Sequence, residues 1–158
     1  MSQVGEKSSA PGPQGPVRGK FRILISDRNY NVREFLKREM TEEGYQVETA
    51  RSTPDILSRI GLRGDPVDLV VLDPELPDQG DIPLLHRLRS KNPYIPIVLH
   101  GFQNPLPEQA HQHWVAFVEK SGSNMHALKK RIRKLLATCY PERFRQQCQK
   151  QKEEDSNR

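Results

Sequence analysis

Short apolar runs alternate along the chain with longer segments whose apolar residues recur at helical spacing, a pattern of strands interleaved with helices. Phe21 to Ile25 is the first predicted strand and ends in Ser26-Asp27. A helix follows, with Val32, Phe35, Leu36 and Met40 along one stripe, Asn29 or Asn31 as its cap and Gly44 just past its end. Tyr45 to Thr49 alternates in polarity, as suits a sheet edge. Ser52-Thr53-Pro54 opens a second helix with proline in the first turn, where a missing N–H costs little. Its inner face is Ile56, Leu57 and Ile60.

Val67 to Asp73 is an apolar run closing in a carboxylate. The loop from Pro74 to Gly80 leads to a helix carrying Ile82, Leu84, Leu85 and Leu88. Ile95 to Leu99 is a fourth strand and Val115 to Val118 a fifth. Between them, Pro105 and Pro107 keep any helix short. A last helix starts near Ser123 or Asn124 and carries Met125, Leu128, Ile132, Leu135, Leu136 and Cys139, until Pro141 ends or kinks it. Strand–helix repeats of this kind predict an α/β fold, a doubly wound five-stranded parallel sheet with helices on both faces. The common strand order is 2-1-3-4-5, with a switch point between strands one and three where ligands bind.

Composition sets the boundaries. Of 158 residues only 34% are hydrophobic, and residues 1–19 are rich in Gly, Pro, Ser and Gln, which predicts a disordered N-terminal tail. Residues 20–140 form the expected folded domain, and 141–158 a charged, Gln-rich tail or helical extension. No apolar run approaches the roughly 20 residues that cross a bilayer, and no secretory signal is visible, so a cytoplasmic protein is expected. Cys139 and Cys148 fit no zinc spacing. The net charge of +5 lies largely in the C-terminal third, where Lys129, Lys130, Arg131, Arg133 and Lys134 surround the apolar stripe. A solvated face explains them as well as a docking face does, and nucleic-acid binding is not expected.

Three strand ends carry reactive groups: Asp27, Asp73 and Lys120. Two acids and a lysine gathered at the carboxyl edge of a parallel sheet suit phosphate and a divalent cation. His111 and His113, two residues apart, share no helix face and read as surface residues.

In this order and setting, the chain from about Phe21 to Ala137 resembles the receiver domain of two-component response regulators, a CheY-like, flavodoxin-like fold. Ser26-Asp27 stands where that family has an acidic pair. Asp73 stands at the phosphoacceptor position within Asp73-Pro74-Glu75-Leu76-Pro77-Asp78-Gln79-Gly80. Lys120 ends the fifth strand, and Phe117 lies at the family's rotating aromatic. The resemblance implies a phosphorylatable switch rather than an enzyme, with at most self-catalysed phosphoryl transfer to and from Asp73. It implies Mg²⁺, held weakly, on Asp27, Asp73 and the backbone carbonyl of Glu75, with Lys120 on a phosphoryl oxygen. It implies a histidine kinase or phosphotransfer protein as donor. It also implies a downstream protein, or a second copy, on the face of strand four, strand five and the last helix.

Three positions depart from the family. Ser26 replaces an acid, His100 replaces the switch hydroxyl at the end of strand four, and Ser121 replaces the proline after Lys120. They favour an alternative, a pseudo-receiver that binds a partner without phosphorylation. An aspartate-nucleophile phosphatase, with Glu75 as the second acid, lacks the first-strand motif and a cap insertion. A flavin mononucleotide protein lacks the phosphate loop after strand one.

Overall fold

Parallel strands line up in the order β2-β1-β3-β4-β5, as expected. They are β1 (Arg22–Ser26), β2 (Gln46–Ala50), β3 (Leu69–Leu72), β4 (Ile97–Gly101) and β5 (Val115–Glu119). The helices are α1 (Tyr30–Glu42), α2 (Thr53–Ile60), α3 (Leu84–Lys91), α4 (Met125–Cys139) and α5 (Pro141–Ser156). The computed structural model describes residues 20–60, 66–76, 84–104, 114–122 and 124–158. The 1–19 segment, loop residues 77–80, Ile82, the 105–113 segment with His111 and His113, and Ser123 lie outside the described residues.

Strand alternation splits the core into two layers. Leu24, Val70, Leu72, Ile97 and Leu99 face α2 and α3, with Ile56, Leu57, Leu84 and Leu88 packed on them. Ile23, Ile25, Leu69, Val71, Val98 and Val118 face α1 and α4, against Leu36, Met40, Leu128, Ile132, Leu135 and Leu136. Fully burying one such side chain contributes about 2 kcal/mol relative to leaving it exposed. Phe35 does not join this layer, being 42% exposed. Val32, Leu36 and Met40 repeat every fourth residue on the inner face, so Phe35 falls on the flank, where the Arg38 guanidinium covers its ring at 5.5 Å.

Helix α1 begins where Asn29 Oδ1 accepts the amides of Asn31 and Val32. It ends at Gly44, whose φ of +97° suits glycine. There the amides of Gly44 and Tyr45 donate to Thr41 and Met40 carbonyls, closing off the last turn. Among the described residues, no helix is long and apolar enough to cross a membrane.

The C-terminal segment is not a continuation of α4. The backbone turns at Tyr140, and Pro141 starts a separate helix, where its fixed φ suits the first position. Helix α5 folds back onto the lower end of the sheet. Arg143 grips the carboxylate of Asp68 with two hydrogen bonds of 2.6 and 2.9 Å, and its guanidinium lies 4.5 Å from the Phe21 ring centre. Tyr140 donates to the Asp68 carbonyl, and the Arg22 amide donates to the Asp68 carboxylate, both at 2.7 Å. Tyr140 and Phe144 rings pack on Phe21. Asp68 is 2% exposed, and Arg143 is its buried ion-pair partner.

Removing one partner of a buried ion pair leaves an uncompensated charge. Arg143→Ala is therefore expected to lower unfolding stability by about 3 kcal/mol, read from the urea midpoint. A change under about 0.5 kcal/mol would show that the pair is as weak as a solvated surface bridge.

Candidate functional site

Parallel pairing places Ile25 beside Val71 and Val71 beside Val98, all on the α1–α4 side of the sheet. Asp27, Asp73 and His100 each follow two residues after these, and Lys120 follows two after Val118. A side-chain period of two thus gives all four the same face at the carboxyl edge. Ser26 and Phe117 fall on the other parity, and Phe117 is partly buried against the α2–α3 layer.

The structure brings Asp27, Asp73 and Lys120 into direct contact. Lys120 Nζ lies 2.7 Å from Asp27 Oδ2 and 3.4 Å from Asp73 Oδ2. Strands β3 and β5 are two ladder spacings apart, roughly 10 Å, so only a long side chain can reach across. Asp73 is fully buried and Asp27 is 1% exposed. Two desolvated carboxylates side by side repel one another, and the ammonium offsets that cost. The Phe102 ring lies 5.5 Å from Lys120 Nζ and adds a cation–π contact from the rim.

Backbone amides hold the carboxylates in place. Asp27 Oδ1 accepts the Asn29 N–H at 2.8 Å, and Asp73 Oδ1 accepts the Glu75 N–H at 2.9 Å. The Arg28 N–H approaches Asp73 Oδ2 at 3.4 Å, and Arg33 donates to the Asp27 carbonyl at 2.6 Å. Asp27 is therefore both a turn residue and a charged site residue. Its Oδ2 accepts no directed hydrogen bond among the described residues. Contact with Lys120 is ionic, and this buried oxygen retains capacity for a cation.

Ser26 is bonded into the sheet. Its hydroxyl donates to the Val71 carbonyl at 3.2 Å and accepts the Asp73 amide at 3.3 Å. The residue in the place of an acid therefore ties β1 to the end of β3 and fixes the backbone under Asp73. Glycine is required at 101, because a Cβ there would sit 2.7 Å from Pro74 Cγ. The end of β4 thus abuts the loop that follows Asp73.

His100 is 8% exposed, and its Nδ1 has no hydrogen-bond partner among the described residues. Burial, reinforced by the nearby Lys120 charge, pushes its pKa down to about 4 against the pull of Asp27 and Asp73. It is a neutral imidazole at pH 7. Asp27 and Asp73 offer hard carboxylate oxygens of the kind Mg²⁺ prefers, and the resemblance adds the Glu75 carbonyl to them. Among the described residues, no cluster of three His, Cys, Asp or Glu side chains could hold a metal by itself. The residues present fit a magnesium-like ion that keeps several waters.

One rim pair was not anticipated from the sequence. The Arg28 guanidinium reaches the Glu75 carboxylate at 3.6 Å, and the amides of both residues approach the Asp73 carboxylate. Its signal was the basic residue directly after the strand-end acid. Of the basic residues on the last helix, Lys129 pairs with Glu39 and Glu43, and Arg133 stacks on Phe144. Lys130, Arg131 and Lys134 stay exposed.

Residues 23–133 match the response regulator receiver domain family. This chain belongs to that family. It is 32% identical to response regulator TrrA of Thermotoga maritima, solved in complex with Mg²⁺–BeF, with a TM-score of 0.60, covering 73% of this chain and 99% of that one. TrrA bound to histidine kinase ThkA gives a TM-score of 0.61 at 32% identity, covering 73% and 98%. The response regulator MprA of Mycolicibacterium vanbaalenii is 36% identical over 88 residues, covering 56% of this chain and 37% of MprA. The chain spans between 17% and 38% of the length of the curated relatives it matches.

A histidine whose pKa falls on folding binds fewer protons in the folded than in the unfolded chain between pH 6.5 and 4. Its neutral burial supports the fold fully above pH 6.5 and less as the pH falls toward 4. His100→Thr is expected to gain stability relative to the unsubstituted chain over that window, by up to about 3 kcal/mol. Paired denaturant titrations at pH 7 and pH 4.5 measure it; parallel pH profiles would refute it.

Proposed function

We propose that this receiver accepts a phosphoryl group on Asp73 from a histidine kinase or phosphotransfer protein, and changes its protein partner in response. The observation that supports this most is the contact of one lysine with two buried carboxylates at the carboxyl edge of the sheet. The likeness to TrrA, which was solved both with Mg²⁺–BeF and with a histidine kinase, favours the same donor class.

Asp73 is held by the Glu75 amide with one oxygen turned toward Lys120. In the transfer a carboxylate oxygen of Asp73 bonds to phosphorus while the bond from phosphorus to the donor nitrogen breaks. The donor imidazole keeps the electron pair. Asp27, Asp73 and the Glu75 carbonyl would hold Mg²⁺, whose charge offsets that of the phosphoryl oxygens. Lys120 can exchange Asp73 for a phosphoryl oxygen without leaving Asp27. His100, neutral and with a ring nitrogen unpartnered among the described residues, occupies the place from which a hydroxyl would contact the phosphoryl group. The phosphoryl adds roughly −1.5 to −2 charge, and output requires the β4–β5–α4 face to bind a partner differently in that state. The folded unit in this reading runs from Phe21 through the docked part of α5. Self-catalysed hydrolysis of the acyl phosphate is the only turnover expected.

A second reading, a phosphorylation-independent interaction module, is favoured by the engagement of Ser26 with backbone rather than with a cation, and by the close packing of Gly101 on Pro74. The two readings separate in one experiment. The chain is incubated with acetyl phosphate and Mg²⁺ and weighed intact. One phosphoryl mass, absent from Asp73→Asn, is expected; an unchanged mass with undisturbed partner binding in the variant would leave the second reading standing.

Ser26→Asp is expected to tighten Mg²⁺ binding by about tenfold, because it returns a negative charge beside Asp27. It should also destabilise the fold by about 1–3 kcal/mol, because it removes the hydroxyl bridge. Calorimetric titration with Mg²⁺ measures the first effect and urea denaturation the second. Unchanged Mg²⁺ affinity would show that position 26 does not face the cation.

A further inference from the structure

Both residues of the rim pair are bound to the acceptor through their backbones. The Arg28 amide approaches one oxygen of Asp73 and the Glu75 amide donates to the other. Their side chains also pair, Arg28 Nη2 to Glu75 Oε2 at 3.6 Å, and are 55% and 37% exposed. An ion pair this long and solvated is weak. A guanidinium so weakly held is available to a better acceptor, and a phosphoryl group offers a bidentate one.

The charge balance of the pocket gives that guanidinium a task. Asp27 and Asp73 carry two negative charges, Lys120 carries one positive and is 2.7 Å from Asp27. His100 supplies none, and Ser26 has replaced a carboxylate that would strengthen the hold on a cation. An arriving phosphoryl group therefore meets less mobile positive charge from bound metal than two acids beside each other would recruit.

We propose that Arg28 is a phosphoryl-binding residue of this receiver, parked on Glu75 in the resting state and transferred to the phosphoryl oxygens when Asp73 is modified. Glu75 is then a competitor that sets how readily small anionic donors enter, while its carbonyl serves the cation. This rests on the reading of Asp73 as phosphoryl acceptor. A guanidinium laid over the acyl phosphate also shields it from water, so the pair governs its lifetime as well as its formation.

The test is titration of the full chain with beryllofluoride and Mg²⁺, followed by fluorine and amide NMR, for the unsubstituted chain, Arg28→Gln, Glu75→Gln and the double variant. Both side chains are half-exposed, so the variants are expected to fold, which their amide spectra verify directly. Arg28→Gln should weaken binding about tenfold, the scale of one charge-assisted hydrogen bond in a wet site. Glu75→Gln should tighten it severalfold, and the double variant should match Arg28→Gln, since Glu75 acts through Arg28. Beryllofluoride binding that is unchanged in Arg28→Gln, or a Glu75→Gln effect that survives in the double variant, overturns the proposal alone. No response from the unsubstituted chain overturns the acceptor reading and this proposal with it.

Discussion

A single ammonium group, Lys120 Nζ, makes two buried carboxylates compatible with one another. Asp27 and Asp73 are both almost wholly removed from solvent, and two carboxylates desolvated side by side call for a compensating charge. The lysine supplies it from the end of β5, two positions from β3 and three from β1 in the sheet. Parallel register is what makes this contact possible. It lines up Ile25, Val71 and Val98 so that the residues two beyond them emerge on one face. A slip of one residue in any strand would send its charged group to the opposite layer.

The surroundings of that contact differ from the family pattern in a consistent direction. Ser26 spends its hydroxyl on the backbone of β3, His100 is neutral and buried, and the β4 end packs against Pro74. The Ser26 bridge and the Gly101–Pro74 packing hold the backbone around Asp73, and Ser26 in place of an acid reduces the negative charge that collects a cation. Rigidity of the first kind favours a formed site, as preorganisation requires. In the proposed function, less negative charge to hold a cation leaves more of the contact with a phosphoryl group to fixed cationic side chains, Lys120 and Arg28.

Helix α5 extends the structure at the opposite end. Through Arg143 and Tyr140 it joins the start of β3 to that of β1, while the far end of the same two strands carries Asp73 and Asp27. The family match stops at residue 133, so this helix lies beyond the part of the chain that the family describes. Its second half is exposed throughout. What fixes the helix is concentrated in its first turn, where an aromatic pair and an arginine surround one buried carboxylate.

Alternating apolar runs fixed in advance the number of strands, their direction and their order, because burial on both faces demands continuous apolar strands and right-handed crossovers admit few topologies. Strand-end residues were legible as a site for the same reason: charge at the end of a buried strand has nowhere to go but the edge. Phe35 was misplaced because a stripe read at spacings of three and four does not say which flank meets solvent. The ion pair of Arg28 with Glu75, the clamp of Arg143 on Asp68 and the backbone role of Ser26 were decided only in three dimensions. Each joins residues 45 or more positions apart, and no local periodicity encodes which distant partner a polar side chain will find. Pattern determines where the chain buries its apolar faces; the neutralisation of buried charge depends on distances that exist only once it has folded.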